Sequence, residues 1–325
     1  MAATQINLRS LMCATTLITF SLEEYILEPT IARADATLGV IITGVDLANL
    51  DDMTWRIIED AFHEHALLIF PSQHLSADDQ VDFSNRFGDI EILRGNAKAV
   101  PITNQKPDGS TLKPDEFRFK ALRGNEGWHL DSTYMPLAAK AGVLSAKVVP
   151  SKGGETEIAD MRASYDALDD VMKTRIEGLS AYHSLYASQA KIGHNVEPGS
   201  GYGYHTKGAP LRPLVKVHPI TSRKALCIGR HAFRIPGMED EEAMQLMENL
   251  INFACQRPRI YAHHWTPGDL IIWDNRCAMH RARPHDFSET RIMQATRIAG
   301  DSLSELAPTA MDPYAGVFEP STKNR

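Results

Sequence analysis

Trp128-His129-Leu130-Asp131-Ser132-Thr133-Tyr134 is the stretch on which the fold and chemistry of this 325-residue chain turn. On an extended strand, residues i and i+2 share a face, so His129 and Asp131 can converge on one point. A distant histidine would complete a 2-His-1-carboxylate facial triad, a ligand set that holds non-haem Fe(II) and leaves positions open. Thirteen histidines and 41 acidic residues produce isolated H-x-D pairs by chance, so the weight rests on what surrounds this one. Downstream, His231, His263, His264, His280 and His285 are candidates for the third ligand.

Working outward, the composition is that of a globular enzyme, 43% hydrophobic and 23% charged. A formal net charge of −7 gives no basis for nucleic acid or an anionic membrane as partner. Four scattered cysteines (Cys13, Cys227, Cys255, Cys277) form no C-x-x-C pair, which fits a reducing, cytoplasmic setting. The apolar run Leu11–Phe20 is too short to span a bilayer and runs into Glu23-Glu24. Residues 1–26 therefore read as a poorly ordered extension, 27–305 as one domain and 306–325 as a tail.

Residues 54–67 have an amphipathic helical pattern, followed by a strand at 68–70. Ser76-Ala77-Asp78-Asp79 has capping-box spacing and opens a helix to about Phe87. Helices also suit 161–179 and 239–256. Short strands fit 142–149, 156–161, 213–218 with 225–229, 261–265, 269–274 and 291–299, and 219–223 reads as a hairpin loop. The stretch 93–127 is polar and irregular, either a lid over a site or a plain surface loop. Strands and helices do not alternate regularly, which argues against a doubly wound sheet. The expectation is an α+β fold, a double-stranded β-helix (jelly-roll, cupin-like) core with flanking helices.

The Trp128–Tyr134 stretch has companions at Gly153-Gly154-Glu155-Thr156, at Pro267-Gly268-Asp269-Leu270-Ile271-Ile272-Trp273-Asp274-Asn275-Arg276, at His280 and at Arg291. Together, from about Leu27 to Asp301, they resemble the taurine dioxygenase (TauD/TfdA) family of Fe(II)- and 2-oxoglutarate-dependent oxygenases. The resemblance implies that His129, Asp131 and His280 bind iron. His280 is preferred because Arg291 follows at +11, the family's interval to the arginine that grips the co-substrate. It also implies that Arg291 and Thr156 hold the far carboxylate of 2-oxoglutarate, that Trp273 lies near the iron, and that O2 takes the last position. A planar guanidinium suits that carboxylate better than an ammonium does. Asp131 implies hydroxylation, since related halogenases lack this carboxylate. Members are commonly assembled as homo-oligomers.

A narrower likeness is carried by Arg291-Ile292-Met293-Gln294-Ala295-Thr296-Arg297, Pro213–Pro219, Ile228-Gly229-Arg230-His231-Ala232 and Ser132–Pro136. These resemble the (S)-phenoxypropionate, or aryloxyalkanoate, dioxygenases. The implied substrate is a small organic acid, cleaved at its ether to a phenol and a 2-oxo acid. Where sulfonate-oxidising relatives carry a second arginine four past Arg291, this chain has Ala295, which disfavours a taurine-like sulfonate. Arg297 points to the same strand face as Ala295. Further candidates for contacting the substrate are Asn125, Lys120, Arg123, Arg230 and Tyr134. Outside this class stands a cupin-like zinc hydrolase with the same triad, which would leave Thr156 and Arg291 without a role.

Overall fold

The computed structural model describes residues 29–315; the expected extension 1–26 lies outside them. In chain order come β1 (Thr30–Arg33), β2 (Val40–Thr43), α1 (Asp52–His65), β3 (Leu67–Phe70), α2 (Ala77–Asn85), β4 (Ala99–Thr103) and α3 (Phe117–Gly124). There follow β5 (Ala139–Val148), β6 (Thr156–Asp160), α4 (Met161–Asp166), α5 (Asp170–Ile176), β7 (Ser180–His183), α6 (Leu185–Ala190), β8 (Ala209–Pro213) and β9 (Val215–Val217). The described residues end with β10 (Lys224–Leu226), β11 (Ala232–Arg234), α7 (Asp240–Ala254), β12 (Ile260–His263), β13 (Leu270–Asp274), β14 (Ala278–Ala282), β15 (Ile292–Ala299), α8 (Ser302–Glu305) and β16 (Thr309–Ala310).

Two sheets make the core. The larger runs β1-β2-β3-β13-β5-β15-β4, and the smaller runs β12-β6-β14. Alternation along β13 shows how they stack. Leu270 and Ile272 point into one apolar cluster with Ile58 and Phe62 of α1 and Phe83 of α2. Ile271 and Trp273 point the other way, into a cluster with Ile158 of β6 and Ala278 of β14. The larger sheet is therefore covered by helices on one face and by the smaller sheet on the other. That is why Leu270–Asp274 is buried at every position and reads as a continuous apolar run. This is the α+β architecture with a jelly-roll core that the sequence leads one to expect. Pairs β7–β8, with β11 and β16 flanking them, and β9–β10 lie outside that core. Among the described residues, no helix is long and apolar enough to cross a membrane.

Local signals place the helices. Asp51 accepts from the backbone N–H groups of Met53 and Thr54 at the start of α1, and the capping box of Ser76 and Asp79 opens α2. Two expectations need correcting. The stretch 161–179 is not one helix but α4 and α5, because Asp169 caps a fresh turn by accepting from Met172 N–H. The stretch 93–127 is not irregular throughout, since it carries α3 and β4, the latter at the sheet edge beside β15. Pro101 within β4 hides the strand pattern, and an edge position is where a strand tolerates proline.

Candidate active site

His129 and Asp131 sit on the segment that follows α3, which is not the strand expected: His129 makes an isolated bridge and a turn begins at Asp131, yet the two side chains still share a side. Trp128 and Leu130 enter an apolar cluster with Met279, while His129 and Asp131 line a cavity between the sheets. His129 pairs with His280 of β14 through two backbone hydrogen bonds, each of 2.9 Å. The rings of His129 and His280 lie 4.2 Å apart, and potential ligand atoms of His129, Asp131 and His280 all fall within 4.8 Å of one another. Asn275 clamps the aspartate from behind. Its Oδ1 accepts from Asp131 N–H at 2.7 Å, and its Nδ2 donates to Asp131 O and Ala139 O, both at 2.9 Å.

The electrostatics suit a cation. Burial, with His280 adding, pushes the pKa of His129 down to about 3; burial, with Arg297 adding, does the same to His280. Both imidazoles are neutral near pH 7, the form that ligates metal. His129 Nδ1 lies 2.8 Å from Gly127 O, so the proton belongs there and Nε2 is left for a metal. Trp273 packs its ring 4.4 Å from that of His280. Gly142 makes this possible, because a Cβ there would lie 2.3 Å from the indole.

The cavity is walled by Leu93, Ile102, Val143 and Leu144 as well as by the polar groups. Thr156 on β6 and Arg291 immediately before β15 line it too, with Ala295 and Arg297 on that strand. The Thr156 hydroxyl accepts from Trp265 Nε1–H at 3.0 Å, so its own proton is free to be donated. Arg291 is buried, which lowers its pKa to about 10 and leaves it charged at neutral pH. Its Nη2 donates to Gly154 O at 3.1 Å, while its buried Nε–H has no partner among the described residues. A buried guanidinium with an idle donor, in the wall of the same cavity as a hydroxyl with a proton to give, fits a ligand carboxylate.

Among the candidate substrate contacts, Asn125 and Arg297 border this cavity. Lys120, Arg123, Arg230 and Tyr134 are not in its wall. Arg123 pairs with Glu126 at the surface. Arg230 donates to the carbonyls of Gly124 and Ser188 and braces the backbone before His129. Tyr134 packs against His231. Of the competing histidines, His263 pairs with Asp269 and His264 is 80% exposed, so neither reaches the cavity. Trp265 and Asn275 act on the site through hydrogen bonds that no spacing rule announces. A second buried group, His218, Asp274 and Cys277, also brings potential ligand atoms within 4.8 Å. There, however, Arg276 occupies both oxygens of Asp274, which makes it a brace behind the site.

The family model described as taurine catabolism dioxygenase TauD, TfdA family, matches residues 29–297. The chain is 53% identical over 283 residues to the (S)-phenoxypropionate/alpha-ketoglutarate-dioxygenase of Sphingobium herbicidovorans, covering 85% of this chain and 97% of that one. A protein of the same description from Delftia acidovorans is 50% identical over 282 residues, covering 85% and 96%. The crystal structure of AAD-2 in complex with Mn(II) and N-oxalylglycine is similar with a TM-score of 0.78 at 34% identity, across 87% of this chain and 99% of that one.

Proposed function

This chain belongs to the TauD/TfdA family of Fe(II)- and 2-oxoglutarate-dependent dioxygenases, and from that premise we propose that it hydroxylates an aryloxyalkanoic acid at the carbon between carboxylate and ether oxygen. The product collapses to a phenol and a 2-oxo acid, while 2-oxoglutarate and O2 yield succinate and CO2. Similarity to two phenoxypropionate dioxygenases over nearly their whole lengths is the observation that carries the substrate class.

His129, Asp131 and His280 are assigned as the iron ligands; convergence of their ligand atoms in one buried cluster supports this. Bound there, Fe(II) would activate O2 and drive the oxidative decarboxylation of 2-oxoglutarate. Arg291 and Thr156 are assigned to the far carboxylate of 2-oxoglutarate, the guanidinium by charge and the hydroxyl by the proton that Trp265 leaves free. Trp273 screens one face of His280 from water. The apolar walls would take the aryl ring, and the absence of a long side chain at Ala295 leaves room for it. Three unpaired cysteines among the described residues fit the reducing cytoplasm, the compartment we propose. A zinc hydrolase would use neither Arg291 nor Thr156 and is set aside.

The test is succinate release against both enantiomers of aryloxypropionates, aryloxyacetates, alkyl sulfonates and aliphatic acids, with uncoupled turnover subtracted. Aryloxypropionates should be turned over fastest, and His129→Ala or His280→Ala should abolish turnover. Preference for a sulfonate would overturn the substrate class, and full activity in both variants would overturn the ligand assignment.

A further inference from the structure

The two arginines that line the cavity are held differently. Arg291 keeps an idle donor. Arg297 is committed to protein groups: Nη2 donates to Asp131 Oδ1 at 2.6 Å, and Nη1 donates to Ser132 Oγ at 3.2 Å. Ser132 holds a left-handed backbone, φ 54°, and its hydroxyl donates to Glu91 Oε2 at 2.8 Å. Glu91 also accepts from the hydroxyl of Tyr202, and its N–H donates to the carbonyl of Arg297 at 2.7 Å. The arginine is thus fixed at its backbone and at both terminal nitrogens.

The consequence falls on Asp131. Its Oδ1 faces Arg297, while Oδ2 lies 3.8 Å from His280 Nε2. A carboxylate with both oxygens free can chelate a divalent ion through both, or turn away from it. A charge-assisted hydrogen bond on one oxygen leaves the other to face the ion. Single-oxygen ligation also keeps positions open for a chelating co-substrate and O2. Resting on the reading of the triad as the iron site, we propose that Arg297 is a positioning residue for Asp131, held in place by Glu91 through Ser132. Its role is to present one carboxylate oxygen to the metal, not to anchor the substrate.

Arg297→Lys is the informative variant. It keeps the positive charge, and so the repulsion toward the ion, but an ammonium cannot reproduce the two-pronged hold on Asp131 and Ser132. Mn(II) affinity is measured by the loss of the free-ion EPR signal, with no organic acid present. The expected result is binding weakened by about tenfold, the low end of the range for losing such a partner. The charge-transfer band of the anaerobic Fe(II)–2-oxoglutarate complex should move as well. Ser132→Ala, which keeps Arg297 and loosens one anchor, should weaken Mn(II) binding by less. If Arg297→Lys binds Mn(II) within twofold of the parent but raises KM for the organic acid, Arg297 is a substrate anchor and the proposal is overturned. His280→Ala tests the underlying reading separately: parent-like Mn(II) binding in that variant would remove the iron site itself.

Discussion

Trp265 has one polar atom, and where that atom points decides what Thr156 can do. Because the indole N–H donates to Thr156 Oγ1, the hydroxyl is cast as a donor toward the cavity. Trp265→Phe should remove that constraint while keeping an aromatic ring in place. We expect Kd for 2-oxoglutarate to rise severalfold, in keeping with about 1 kcal/mol for a neutral hydrogen bond, while KM for the organic acid stays within twofold. Titrating 2-oxoglutarate into the anaerobic Fe(II) protein reads the first value and steady-state kinetics the second. At this scale the sequence was legible where function demands a residue type at an interval. Thr156 at +27 from His129, and Arg291 at +11 from His280, both border the cavity. Trp265 was not legible, because its reach to Thr156 depends on the pairing of β12 with β6, in which His263 faces Thr156. Arg297 was half legible. Strand alternation put it on the correct face, but it could not reveal that Asp131 and Ser132 already hold its guanidinium.

At the scale of elements, a polar seam joins α2 to the strands beneath it. Gln80, fully buried, donates through Nε2 to Gln294 O at 3.0 Å and accepts from Ser145 Oγ at 2.6 Å. Ser84 Oγ lies 2.6 Å from Thr296 Oγ1. Gln294 and Thr296 belong to β15, the strand that Arg291 precedes and that carries Arg297, so α2 backs the element on which both arginines depend. Gln80→Leu would strip partners from two buried groups at about 1–3 kcal/mol each. A loss of about 2–6 kcal/mol in urea unfolding is expected, with m unchanged. A loss below about 0.5 kcal/mol would mean that the seam contributes little. The start of α2 was readable from Ser76 and Asp79, but its buried polar stripe was not, because a glutamine in a helix reads as a surface residue. The division of 161–179 hinged on Asp169 acting as a cap, and Pro101 masked β4 because edge pairing is a tertiary fact.

For the whole molecule, buried neutral histidines tie stability to pH. Burial, reinforced by Arg212 and Lys216, pushes the pKa of His183 down to about 3, and neither ring nitrogen has a partner among the described residues. His129 and His280 are lowered to a similar value. Below about pH 6.5 the unfolded chain takes up these protons while the folded chain refuses them down to about pH 3. Stability present at neutral pH is therefore lost as pH falls through that window, by about 1.4 kcal/mol per pH unit for each histidine. Urea unfolding of the metal-free protein at pH 7, 6 and 5 should show this slope, and His183→Gln should flatten it by about one proton's worth. An unchanged slope in that variant would mean that His183 titrates normally in the folded state. The fold class could be read from the irregular order of strands and helices. The order β1-β2-β3-β13-β5-β15-β4 could not, since it records which strands meet after long excursions of the chain.

The pair of backbone hydrogen bonds between His129 and His280 joins segments 151 residues apart (280 − 129). Closing so long a loop costs more entropy than closing any local turn, and that cost falls due before the contact rewards it. The two histidines therefore meet only once the sheets have assembled around them. A metal held by both would act as a latch on a finished barrel: it would leave the speed of folding almost untouched and hold back unfolding, so that the lifetime of the native state is set by the same ion that serves the chemistry.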